Sequence, residues 1–198
     1  MKITRIETLH VGEFSNILFV QVHTDTGLVG LGETYYTPQA TTAFIHEVLA
    51  PLLLGHEALD IEGHWRRLYD ATHVYGNRGN EMRAISAIDV ALWDLLGQQA
   101  KLPIYRVLGG ASRESIRIYN TCAGTLYARA IPGVARVGSA QVADGRYEDL
   151  DAFLNRADVL ARDLLSEGIT AMKIWPFDAF APASSGTYIS YPDIEKGL

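Results

Sequence analysis

Three things are scarce in this 198-residue sequence, and each scarcity excludes a class of protein. A single cysteine, Cys122, has no partner for an internal disulfide, so a core rather than staples must hold the fold, and a reducing cytoplasm is the matching compartment. Excess charge is also small. Seventeen Lys and Arg against 23 Asp and Glu give a formal −6, and the basic residues are scattered, so the electrostatic footprint of a nucleic-acid binder is missing. Long apolar runs are missing too: the opening MKITRIETLHV has no signal-peptide core and no stretch approaches the thickness of a bilayer. The reading is a soluble, cytoplasmic protein with neither nucleic acid nor membrane as a partner. What remains is 48% apolar residues, enough for a proper core and one domain or one and a half.

The first third alternates in a strand-like way. Segments around Ile3 to Thr8, Ile17 to His23 and Leu28 to Gly32 predict a three-stranded antiparallel meander, with Asp25-Thr26-Gly27 as the second hairpin loop. Helical spacing follows. Thr37 and Pro38 read as N-cap and first residue of a helix carrying Ala40, Phe44 and Val48 until Pro51 interrupts it. Asp60 is placed to cap a helix with Ile61, Trp65, Leu68 and Tyr69 on its buried face, and Met82 to Gln99 forms a longer one buried through Ile85, Ile88, Leu92 and Leu95. Strands followed by helices predict an α+β domain over residues 1–112.

From residue 113 the grammar becomes strand, helix, strand, the mark of parallel βα units. Ile116 to Thr121 is the first strand, Gly124 to Tyr147 a loop, and Phe153, Ala157, Leu160, Ala161 and Leu164 line a helix closed by Gly168. Ile169 to Trp175 is the second strand; Phe177 to Pro192 reads as irregular, and Pro192 to Glu195 as a helix start. A (β/α)₈ barrel takes roughly 250 residues, so residues 113–198 make up about two of its eight units, an incomplete barrel that points to a truncated chain.

The second of these strands carries the best candidate for chemistry. Side chains alternate across a strand, so Lys173 and Trp175 share one face while Met172 and Ile174 share the other, toward the outer helices. Lys173 and Trp175 then point into the barrel near the C-terminal end of the strand, where barrel enzymes keep their active sites. An ammonium there binds a carboxylate and steadies charge developing on it, or acts as a base if burial lowers its pKa. On spacing alone, a lysine that pairs with a neighbouring carboxylate or reaches out to solvent fits at least as well.

A longer pattern adds to this reading. Ala84-Ile85-Ser86-Ala87-Ile88-Asp89-Val90-Ala91-Leu92-Trp93-Asp94-Leu95, followed by Pro103-Ile104-Tyr105-Arg106-Val107-Leu108-Gly109-Gly110, resembles the N-terminal signature of the mandelate racemase/muconate lactonizing family of the enolase superfamily. The hairpin Thr26-Gly27-Leu28-Val29-Gly30-Leu31-Gly32-Glu33 resembles that family's opening. The resemblance implies an N-terminal capping domain before a barrel of the triosephosphate isomerase type. It also implies abstraction of the proton α to a substrate carboxylate, giving an enediolate held by Mg²⁺ and cationic side chains. Many relatives carry Lys-x-Lys on this strand; here Lys173-Ile174-Trp175 keeps the first lysine, in the carboxylate-stabilising role, and replaces the second with a side chain that takes no proton. That favours dehydration of an acid sugar to a 2-keto-3-deoxy acid, a lyase reaction, with racemisation, epimerisation or cycloisomerisation as the alternative.

The resemblance places the metal ligands and the His-Asp base dyad on later barrel strands, beyond residue 198. No metal is carried onto Glu33, Asp89 or Asp94, and the 198-residue chain alone is expected to be inactive. The resemblance also implies that cap loops Gly12 to Asn16 and His73 to Asn80 contact substrate, which makes Asn16, Tyr35 and Arg78 candidates; Arg78 brings a guanidinium suited to a hydroxy acid. The expected partner is a small carboxylate substrate, and family members are commonly homo-oligomers. A non-catalytic fragment or assembly module is the rival from another class. The six histidines have no ligand spacing and read as surface or structural, and Cys122 as a small buried hydrophobe.

Overall fold

The computed structural model describes residues 1–12, 16–74, 76, 78–123 and 148–197. The expected loop from Gly124 to Tyr147 lies outside the described residues, as do parts of the two cap loops. Two compact units emerge, Met1–Glu114 and a second holding residues 115–123 and 148–197.

The first unit opens with an antiparallel meander of β1 (Ile3–His10), β2 (Ile17–Thr24) and β3 (Val29–Tyr35), in that spatial order. The register sets Ile6 opposite Val22 and Val20 opposite Gly32. Every second side chain of β2, Leu18, Val20, Val22 and Thr24, is buried, as strand alternation demands when one face meets a core. Gly27 takes a φ of 86° in the β2–β3 loop, which a side chain would strain.

Helix α1 (Pro38–Phe44) runs through a π-helical turn (Ile45–Leu49) into α2 (Ala50–Leu53). Three expectations are corrected here. Pro51 does not interrupt the helix, because the π turn delivers it to the first turn of α2, where no N–H donor is needed. The deeply buried stripe is Thr41, Ile45, Leu49 and Leu53, with Phe44 and Val48 packing at its margin and Ala40 exposed. Nor does Thr37 cap α1 through its side chain; it adopts left-handed geometry.

Helix α3 (Ile61–Thr72) also differs from its expected face. Asp60 makes no side-chain cap, and Ile61, His64, Leu68 and Thr72 are buried while Trp65 and Tyr69 stack on each other nearer the surface, ring centroids 5.1 Å apart. Local bonds make the exchange affordable: His64 Nε2 lies 2.7 Å from the Glu57 carbonyl and Thr72 donates to the Leu68 carbonyl, so both polar side chains enter the core with a partner.

Helix α4 (Asn80–Ala100) buries Ile85, Ile88, Leu92 and Leu95, the expected residues, together with Ala84, Ala87 and Ala91. The alanines let its backbone descend onto β3, where Gly30 and Gly32 receive it. A Cβ on Gly32 would sit 1.9 Å from the Ala87 carbonyl oxygen, and one on Gly30 2.1 Å from that of Ala91. The outer edge of β3 is capped from the same helix: Asp94 accepts the Leu31 N–H, Gln98 donates to the Val29 carbonyl and Arg83 to that of Tyr35. Edge groups that would otherwise invite another strand are thereby satisfied. A short helix, α5 (Ile104–Val107), follows.

In the second unit neither expected strand, Ile116 to Thr121 or Ile169 to Trp175, forms as a strand: the two extended segments meet in parallel at a single bridge, Asn120 beside Met172, because too few backbone pairs line up to make a ladder. The Asn120 N–H donates to the Ala171 carbonyl, and the Lys173 N–H to that of Asn120. Helix α6 (Asp149–Ser166) packs Ala152, Leu160 and Leu164 with Cys122 and Met172. Ala157, expected on this face, is exposed, because non-helical geometry at Arg156 breaks the helical phase. Gly168, at φ 82°, closes the helix as its composition predicts. The stretch expected to be irregular holds a 3₁₀ helix (Asp178–Ser184), and α7 (Tyr191–Gly197) begins where a helix start was read.

Candidate active site

Two places gather the residues singled out in the sequence, one in each unit. In the second unit, Met172 turns toward α6, and Lys173, its neighbour on the strand, is exposed on the other side. The Lys173 ammonium lies 5.0 Å from the centre of the Trp175 ring. Strand periodicity brings these two together, and the ring's negative face attracts the cation, an effect of about 0.5–1 kcal/mol at an exposed position. Ile174, expected to share the helix-facing side with Met172, is instead 54% exposed, since it lies past the single bridge and next to the turn at Pro176.

Around the base of Lys173 stands a polar group that the sequence did not disclose. Asn120 Oδ1 accepts the Cys122 N–H at 2.6 Å, and Asn120 Nδ2 donates to Asp149 Oδ2 at 2.8 Å. Cys122 is buried beneath them; burial, with the Asp149 carboxylate nearby, pushes its thiol above the ordinary range. A neutral, enclosed thiol is a packing group, as the sequence suggested.

In the first unit, Asn16, Tyr35 and the start of α4 meet at one end of the sheet. Asn16 is 4% exposed, and its carbonyl accepts the Tyr36 N–H at 2.8 Å. The rings of Tyr35 and Tyr36 lie 4.4 Å apart, and the Arg83 guanidinium sits 5.5 and 5.3 Å from their centres while donating to the Tyr35 carbonyl. Tyr36 and Thr37 are both left-handed, with φ of 66° and 47°, a pair of non-glycine outliers of the kind that collects at functional sites. Thr37 donates to Asn80 Oδ1, and the Arg78 N–H donates to Glu81, whose carboxyl is held below its ordinary value first by the Gly79 N–H. Arg83 and Tyr36 are thus additions to the sequence-derived set. Nothing in residue type announces them, because their positions follow from where α4 crosses the end of β3.

Elsewhere on the first unit a groove of about 530 Å³ is lined by Leu31, Val90, Trp93, Asp94, Ile104 and Leu108. Its acidic group is already engaged by the Leu31 N–H and Gln98, so the groove offers an apolar surface rather than a reaction centre. Among the described residues no group of three His, Cys, Asp or Glu side chains is assembled as metal ligands. These residues therefore do not fit the Mg²⁺ that the sequence resemblance implies. No helix among them is long and apolar enough to cross a membrane.

A meander backed by helices, followed by a single parallel bridge packed against a helix, is the arrangement expected of an enolase-type cap followed by the first part of a barrel. Residues 6–109 match the family model described as mandelate racemase / muconate lactonizing enzyme, N-terminal domain, and the chain belongs to that family. A D-galactonate dehydratase family member from Paenibacillus sp. (strain JDR-2) is 40% identical over 126 residues, 62% of this chain and 31% of that protein. The D-mannonate dehydratase of Novosphingobium aromaticivorans is 30% identical over 192 residues, 94% of this chain and 45% of the relative. The crystal structure of an enolase of the mandelate racemase subgroup from Agrobacterium tumefaciens, 40% identical, superposes with a TM-score of 0.78 over all of this chain and 45% of the other. The chain spans less than half the length of these curated relatives.

Proposed function

We propose that residues 1–112 are the cap and residues 113–198 the first barrel units of an acid-sugar dehydratase, a lyase that removes the proton α to a carboxylate and expels a β-hydroxyl as water. The observation that carries this reading is Lys173: an exposed ammonium just past the parallel bridge at Met172, back to back with that packed side chain and resting beside Trp175. A fixed cation there pairs with the substrate carboxylate and gains strength as the enediolate takes on its second negative charge, which is the transition-state-selective interaction that accelerates a reaction.

Trp175 has no basic group with which to take a proton, so it shapes the pocket beside the ammonium, and the base is assigned to the later barrel strands. The enediolate collapses as the carbon–oxygen bond at the β position breaks; the hydroxyl leaves as water with a proton from an acid, and the resulting enol tautomerises to the 2-keto acid. Mg²⁺ is assigned to carboxylates of the later strands. Asn16, Tyr35 and Arg78 are assigned to the substrate's hydroxyl-bearing portion. Relatives named as D-galactonate and D-mannonate dehydratases support the substrate class.

The test is a screen of the full-length protein, with Mg²⁺, against aldonic and aldaric acids, following 2-keto acid formation. Lys173→Ala should abolish turnover and leave the melting temperature unchanged. An active Lys173→Ala enzyme would remove this lysine from the reaction.

A further inference from the structure

We propose that Asn120 is the positioning residue for Lys173, an inference that rests on the function proposed above. Asn120 occupies the one bridge at which the two extended segments meet. Its carbonyl accepts the Lys173 N–H at 2.7 Å, and its N–H donates to Ala171 at 3.0 Å, so the main chain on both sides of Met172 is fastened to this one residue.

The side chain of Asn120 fixes that main chain in turn. Its oxygen accepts the N–H two residues ahead, at Cys122, closing a turn of the kind asparagine favours. That turn leads the chain away from the bridge with Cys122 at φ 52°, a left-handed conformation that a non-glycine residue holds only with support. Its nitrogen donates to Asp149, the first residue of α6, the helix against which Met172 packs. One amide therefore joins the turn at Cys122 to the start of the helix, and it does so because it has both an acceptor and a donor end, while the main-chain carbonyl of the same residue holds the backbone of Lys173. A carboxylate or an isosteric leucine has only one of these, or neither. Lys173 reaches its place beside Trp175 from a backbone nitrogen held by Asn120, so movement at Asn120 is passed directly to the ammonium.

The bond to Asp149 allows a test by exchange. Asn120→Asp keeps the acceptor for Cys122 but sets two carboxylates against each other; adding Asp149→Asn restores the bond with donor and acceptor reversed. In the Mg²⁺-loaded full-length enzyme, Asn120→Asp should lower kcat about 10- to 100-fold with little change in KM, the loss expected when a charge-stabilising group is displaced by around an ångström. The Asn120→Asp/Asp149→Asn pair should recover most of it. Reductive methylation of Lys173, followed by mass spectrometry, should accelerate in the single variant and return to the original rate in the pair. The proposal is overturned if the single variant keeps both kcat and the labelling rate, or if the pair regains its melting temperature but neither kcat nor the labelling rate. If no acid in the screen is turned over, the dehydratase reading fails, and the labelling rates alone decide the role of Asn120.

Discussion

Replacing Gly32 with alanine should unseat α4 from the sheet. The added Cβ would stand 1.9 Å from the Ala87 carbonyl oxygen, whereas ordinary van der Waals contact begins at 3.4 Å, so helix and strand must separate by about 1.5 Å. The obstructing atom is backbone, which has no rotamer through which to withdraw. Overpacking in a core costs about 1–3 kcal/mol, and a carbonyl wedged off a strand belongs at the upper end. The displaced helix also carries Ile85, Ile88, Leu92 and Leu95, so their contacts are loosened together. For a chain of this size about 3 kcal/mol corresponds to a fall in melting temperature of roughly 6–12 °C, measurable by circular dichroism at 222 nm. Gly63 is the internal control: it lies in α3 with only the Asp60 Cβ near, at 3.9 Å, so Gly63→Ala should stabilise the protein by about 0.5–1 kcal/mol by relieving the helix of a glycine. A Gly32→Ala protein melting within about 2 °C of the parent would refute the close approach on which this account of the first unit depends.

Two carboxylates supply predictions of opposite sign. Glu81 is held below its ordinary value of 4.5 by the Gly79 and Arg78 N–H groups at the start of α4, so its contribution is present above pH 4.5 and is lost as the pH falls through its folded value; Glu81→Gln should lower the melting temperature at pH 7 and flatten its decline in acid. Asp89 is held above its ordinary value of 3.8, first by burial and then by Glu62, so its ionisation opposes folding increasingly as the pH rises past 3.8 and fully once the pH exceeds its folded value. Asp89→Asn should raise the melting temperature at pH 7, with the advantage closing as the pH falls toward 3.8, and a fixed difference across that range would refute the assignment.

The residues that recognise each other along the chain were legible without coordinates. Ile85, Ile88, Leu92 and Leu95 declare a helix face because a period of 3.6 puts them on one side whatever they pack against. Lys173 and Trp175 declare a shared strand face through a period of 2, and the contact between ammonium and ring follows from it. Periodicity was less informative on α3, where Trp65 and Tyr69 fit the apolar stripe by type. Hydrogen bonds to Glu57 and Leu68 turned His64 and Thr72 inward instead.

Composition and spacing determined the meander and the helices that follow it, the glycine turns and the shared side of Lys173 and Trp175, because these depend on the covalent chain and on neighbours a few residues away. Tertiary structure alone decided that Arg83 reaches the Tyr35–Tyr36 pair, and that Asn120 meets Asp149 across 29 positions of sequence. It also decided that Gly30 and Gly32, read only as strand positions, are the seats on which a helix rests. Such contacts depend on where one element's backbone crosses another's. That crossing is set by the summed packing of the core, and no single residue's chemistry encodes it.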